Sequence, residues 1–167
     1  MENSNVVSDF HLPQPDEISI REKEDAMGAY LMMFAAWGAG LPFPLINLIA
    51  AIIYFFVNNK SSKFVAFHAY QSLLTQIPIS IFNAGVIFWV VLILSPYAED
   101  TTPFYVYFVF VVLWNLIYMV ISIIACVKAR KGHYYYFWVF GRMAFNRYYK
   151  KSAQDDQPVR NLPPEGF

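Results

Sequence analysis

The chain has 167 residues, of which 57% are hydrophobic, 19% aromatic and 14% charged. A soluble domain averages roughly 25% charged residues, so the composition points away from a water-soluble globule and toward a protein solvated by lipid. The formal net charge is zero, which gives no reason to expect a nucleic-acid partner, and the single cysteine, Cys126, excludes an intrachain disulfide.

Residues 1–25 read as a polar N-terminal tail with Pro13, Pro15 and a mixed-charge run from Asp16 to Asp25. The acids in that run would also suit a helix N-terminus, so a helix start and a disordered tail are equal readings. No cleavable signal precedes Met27, and the first hydrophobic segment is expected to serve as the insertion signal. A helical membrane domain is expected over 26–150. Between Ala26 and Val127 the charged residues are Lys60, Lys63, Glu99 and Asp100, two pairs in the gaps between apolar runs.

The run 27–57 would measure about 46 Å as one helix, against a hydrocarbon core of about 30 Å. The stretch GAGLPFP interrupts it, and Pro42 and Pro44 each remove a backbone donor and clash with the preceding turn. This punctuation favours a hairpin of two helices, 27–40 and 44–57, over one kinked helix. Residues 64–94 and 103–127 form two further runs, each longer than the ~20 residues a span requires, with the polar turn SPYAEDTTP between them. The fold class is therefore all-α: an integral membrane helical bundle with three to four transmembrane helices.

After Val127 the chain turns basic and aromatic. Lys128, Arg130, Lys131, Arg142, Arg147, Lys150 and Lys151 alternate with tyrosines, phenylalanines and Trp138, without an acid. That mixture suits a membrane–water interface. It predicts a C-terminal interfacial amphipathic helix over 128–151, with Lys128, Arg130, Lys131, Trp138, Arg142 and Arg147 as anchors. Binding of anionic lipid or of a partner's acidic surface is a second use for the same residues. Residues 151–167 form a polar tail. The cations place the 58–63 loop and the C-terminus in the cytoplasm and the 95–102 loop outside. A hairpin at 27–57 would put the N-terminus in the cytoplasm as well.

One pattern carries candidate chemistry. His68, Ser72, Gln76 and Ser80 recur every four residues, Asn83 follows three later, and Gln71 and Thr75 lie beside the line. On a helix these residues form one stripe, and polar groups at membrane depth are costly unless partnered. The favoured use is interhelical hydrogen bonding, with Asn115 and Asn47 as partners. The other is the wall of a polar pathway. No carboxylate lies inside any span, so a cation-coupled transport site would lack its usual ligand. His11, His68 and His133 have no metal-ligand spacing, and no nucleophile, phosphate-loop or dinucleotide pattern occurs. No enzyme activity, cofactor or metal is expected. Ala35 and Ala39, with Ala36 and Gly40, would permit close helix contact, and Cys126 reads as a small packing residue.

Three stretches carry a family resemblance: GAGLPFPLINLIAAIIYFFVNNKSSKF, the Phe-His-Ala-Tyr-Gln of residues 67–71, and IIACVKARKGHYYYFWVFGRM at 123–143. Over about residues 27–145 the chain resembles a family of small membrane proteins. That family includes the twenty-kilodalton subunit of the chloroplast inner-envelope protein-import machinery, the MamF-like magnetosome membrane proteins and many bacterial proteins. Where its members often have a proline after the closing tyrosines, this chain has Phe137 and Trp138, which predicts a more continuous final helix. The resemblance implies a small helical protein integral to a membrane, here the bacterial inner membrane, and set in a larger assembly. The expected function is a non-enzymatic subunit or scaffold. The alternative is a component of a translocation or transport pathway lined from His68 to Asn83. Expected partners are membrane lipid and other membrane-protein subunits or further copies of the chain.

Overall fold

The computed structural model describes residues 12–35, 44–94 and 102–149, and the regular structure among them is helical. Helix α1 spans Ile20–Leu31 and runs on into a 3₁₀ turn at Met32–Phe34. Then follow α2 (Pro44–Asn58), α3 (Lys63–Ile93), α4 (Thr102–Arg130) and α5 (Trp138–Tyr148).

Helix α1 begins ahead of the boundary expected at residue 26, because Ser19-x-x-Glu22 is a capping box. The Ser19 hydroxyl accepts the Glu22 N–H at 3.2 Å and the Glu22 carboxylate accepts the Ser19 N–H at 2.9 Å. Leu12 and Ile18 are buried, so the described part of the expected N-terminal tail is packed structure. The polar residues between them disguise two hydrophobic anchors. The Ser19 side-chain hydrogen bond holds the Glu22 carboxyl below its ordinary value. That contribution is fully present above the unfolded carboxylate pKa and is lost as pH falls through the lower folded value. Ser19→Ala is expected to cost about 1 kcal/mol and to weaken the acid dependence of α1. Amide exchange in α1 at neutral and acidic pH measures both.

Helices α1 and α2 run antiparallel. The Tyr54 hydroxyl donates to the Asp25 carbonyl at 2.7 Å, whereas one continuous helix would hold these residues about 44 Å apart. The hairpin expected from the Gly/Pro punctuation is therefore the observed arrangement. Gly28 lies against the Tyr54 ring, where a Cβ would collide with the hydroxyl. Pro44 is the first residue of α2, a position whose N–H needs no helical partner. Pro42, Ala36, Ala39 and Gly40 lie outside the described residues.

Helices α3 and α4 are long and apolar enough to cross a membrane, and the apolar stretch Leu45–Asn58 in α2 is shorter than that. The three to four spans expected from sequence thus reduce to two by this criterion, because the Gly/Pro break divides the first apolar run into short pieces. At 31 and 29 residues, α3 and α4 measure about 47 and 44 Å. Only 17% and 22% of their most apolar windows is buried, whereas the core helix of a soluble protein would be mostly covered. Phe88, Leu94 and Val106 are more than two-thirds exposed. Such a continuous apolar surface is suited to lipid.

Burial is confined to one end of α3. Its buried side chains lie between Phe64 and Ser80, and none follows from Ile81 onward. Around the buried part gather α1, α2, α5 and the segment 133–137. Ala26 of α1 meets Ala125 and Ala129 of α4 in one core, with Tyr30, Phe64 and Val65, small residues there permitting close approach. Leu12, Phe67, Ala144 and Tyr149 form a second.

The single helix expected over 128–151 is not what forms. Helix α4 ends at Arg130 in a Schellman motif, in which the Gly132 N–H donates to the Ala129 carbonyl at 2.9 Å and the His133 N–H to the Lys128 carbonyl at 3.0 Å. Gly132 has φ 77°, and a Cβ there would sit 3.1 Å from Pro15 Cα. Residues 133–137 then run without helix before α5 begins. The expectation failed because the tyrosine run has helix-compatible composition, while the break depends on one glycine.

Candidate functional site

The polar stripe on α3 separates into two differently partnered parts. The first is a buried junction among α3, α1 and residues 134–137. His68, Gln71, Ser72, Thr75, Gln76 and Ser80 are all buried. The Gln71 amide donates to the Tyr30 hydroxyl at 2.9 Å and to the Tyr135 carbonyl at 2.8 Å, and its Oε1 accepts the Phe137 N–H at 3.4 Å. One side chain thereby ties three segments together. Ser72 donates to the Ala29 carbonyl at 2.7 Å. Thr75 donates to the Ser72 carbonyl at 2.8 Å and lies 3.4 Å from the Tyr118 hydroxyl.

His68 Nδ1 is 2.8 Å from the Tyr30 hydroxyl. Because Gln71 already donates to that oxygen, the Tyr30 proton is free to point at Nδ1, which assigns the imidazole proton to Nε2. Nε2 is buried without a hydrogen-bond partner. The ring instead sits among aromatic neighbours: Phe64 and Phe67 edge-on at 4.6 and 5.1 Å, and Tyr134 stacked at 5.8 Å. Gln76 Nε2 is also buried and unpartnered. Outside the spans, burial pushes the Tyr134 hydroxyl well above its ordinary pKa, so it stays protonated, 2.6 Å from the Tyr149 hydroxyl.

The second part is an asparagine pair. Asn83 donates to Asn115 Oδ1 at 3.1 Å, and Asn115 donates to Asn83 Oδ1 at 3.0 Å and to the Val111 carbonyl at 2.8 Å. The sequence expectation that Asn115 partners the stripe is realised at Asn83 alone. His68, Gln71, Ser72 and Thr75 bond elsewhere, to α1, to their own helix or to residues 134–137, with the Tyr118 hydroxyl of α4 beside Thr75. Tyr30 and the Tyr135 carbonyl are the partners that sequence reasoning missed. For Tyr30 a signal existed, since a tyrosine in an apolar run needs a partner for its hydroxyl.

The basic residues gather at the end where α3 begins and α4 finishes. Arg130 pairs with Glu24 at 2.9 Å with both side chains about half exposed, a geometry that contributes about 0–1 kcal/mol. The Arg147 guanidinium lies 4.5 Å from the Tyr70 ring centroid. Lys128, Lys131 and Arg142 are exposed, and Trp138 is 93% exposed on α5. His133 is exposed, and half-buried Cys126 packs against α1 with Sγ 3.9 Å from the Met27 carbonyl. Among the described residues no group of three or more His, Cys, Asp or Glu side chains could hold a metal ion.

The match to known families covers this arrangement. The model of the MamF/MmsF family, described as the magnetosome magnetite crystal formation protein family, matches residues 23–144. The chain belongs to that family. The matched region runs from α1 into α5 and so includes Tyr30, the whole stripe, the Gly132 turn and Gly141. No curated protein and no solved structure matches the chain. Family membership and the two long, exposed apolar helices make this a membrane-associated protein.

Proposed function

We propose that the chain is a non-enzymatic, multi-pass integral membrane protein that serves as a subunit or scaffold of a larger membrane assembly, with its basic end in the cytoplasm. The observation that carries this reading is the use of the stripe. Its polar side chains from His68 to Thr75 fasten α3 to α1 and to residues 134–137, while apolar surface on α3 and α4 is left for lipid and other chains. The family description, magnetosome magnetite crystal formation, supports a bacterial membrane as the place of that assembly. The alternative pathway reading needs an opening along the stripe and is disfavoured by the burial of Ser72, Thr75, Gln76 and Ser80.

Affinity purification from native membranes in mild detergent tests the assembly. A reproducible set of co-purifying membrane proteins is expected, and a chain that elutes alone as a monomer would overturn the reading. Orientation has its own test. A cysteine introduced at Ser61 should resist a membrane-impermeant maleimide in intact cells, as the positive-inside rule requires for the loop holding Lys60 and Lys63. Labelling from outside would reverse the topology.

A further inference from the structure

A cavity of about 510 Å³ lies among the 3₁₀ turn, α2, α3 and α4, within the roughly 300–1,000 Å³ of small-molecule sites. Its walls are apolar, with Phe34, Val86 and Leu116 among them, except for Asn47, Asn83 and Asn115, contributed by α2, α3 and α4. None of the residues lining it is charged.

The hydrogen bonds around the asparagine pair do not balance. Both N–H bonds of the Asn115 amide are used, on Asn83 and on the Val111 carbonyl, and the latter fixes which way the amide faces. Asn83 donates once, to Asn115. Its second N–H has no acceptor among the described residues. Asn115 stands near the middle of α4, 13 residues from Thr102, about 20 Å along the helix axis. A lipid acyl chain could fill the cavity but could not accept that N–H, and a polar group left unbonded in an apolar setting is costly. A carbonyl on an apolar body satisfies both requirements. With no cation in the lining, a phosphate or carboxylate headgroup has no counter-charge.

We propose that this cavity binds a neutral, lipid-soluble molecule bearing a carbonyl group, which accepts the free N–H of Asn83. A quinone and a glyceride ester both present this chemistry. Such a site is independent of the scaffold role, and its failure would leave that role untouched.

The test uses the full chain in detergent, titrated with decyl-benzoquinone, with dioctanoylglycerol and with hexadecane, which fills space but has no carbonyl. One carbonyl probe is expected to raise the unfolding midpoint by roughly 5–10 °C at a hundredfold excess over its Kd, and the probe that does so identifies the source. Asn83→Leu should weaken that probe about tenfold, the loss of one hydrogen bond. Val112→Phe, which narrows the cavity without touching the amides, should weaken it too. The proposal is overturned if neither carbonyl probe shifts the midpoint, if hexadecane shifts it equally, or if Asn83→Leu binds like the parent. Should Asn83→Leu fail to fold, undiminished binding by Val112→Phe overturns it.

Discussion

Replacing Gln71 by leucine is expected to detach the C-terminal part of the chain from α3. The leucine fills most of the space but leaves the Tyr135 carbonyl, the Phe137 N–H and the Tyr30 hydroxyl without the bonds that Gln71 supplies. Each buried polar group left unsatisfied costs about 1–3 kcal/mol, so a loss of about 3 kcal/mol or more is expected. Thermal unfolding in detergent reads the total. Hydrogen exchange should show the loss of protection concentrated in 133–149, with the Asn83–Asn115 region of α3 and α4 unchanged. Tyr30→Phe removes the hydroxyl that meets both Gln71 and His68 Nδ1 but leaves the bonds to Tyr135 and Phe137 in place, so it should cost less of the protection in 133–149. The double variant should be less destabilised than the sum, since both changes break the same bond. Strict additivity would mean that Tyr30 and Gln71 are not coupled and that the junction is not a unit.

Gly141→Val is expected to disrupt the same place from the other side. Gly141 is where α5 touches the extended segment and α3. A Cβ there would lie 2.8 Å from Tyr136 Cα and 2.9 Å from Gln71 Oε1. The first obstacle is backbone and the second is held by its hydrogen bonds, so neither can move cheaply. Overpacking of this kind costs about 1–3 kcal/mol, and the second methyl group of valine places this change at the upper end. Limited proteolysis should cut the variant within 133–149 faster than the parent. Gly85→Ala is the contrasting case. Its Cβ would meet the Tyr107 hydroxyl at 2.5 Å, the far end of a side chain that can swing away at the cost of its bond to the Phe82 carbonyl, about 1 kcal/mol. If both glycine variants behave alike, tight packing at Gly141 is not what secures α5.

The basic end and the buried junction occupy the same end of the fold. The segment that carries Lys128, Arg130 and Lys131 leads through Gly132 directly into Tyr134–Phe137, which closes over His68 and Gln71. The Phe67–Gln71 motif and the stretch from Lys128 to Phe137, well separated in the chain, are thus two halves of one contact.

Membrane character, the helical fold class, the Gly/Pro break in the first apolar run and the polar stripe were all legible in the sequence. These are properties of composition and local periodicity: a charge-poor run of sufficient length reads as a span, two prolines beside glycines read as a reversal, and residues four apart share a helix face. The tertiary structure alone decided which polar residue meets which. Gln71 bonds Tyr30 and Tyr135 rather than the expected asparagines, because α1 and the 133–137 segment cover that part of α3 while Asn83 lies farther along, against α4. It also decided that Ile18 and Leu12 are core, since two apolar residues in a polar stretch carry no period to mark a face. The division of 128–149 turned on Gly132, whose positive φ closes the local Schellman hydrogen bonds and whose missing side chain leaves room for Pro15; the glycine stands in the local sequence, but the contact with Pro15, from the other end of the chain, leaves no trace there.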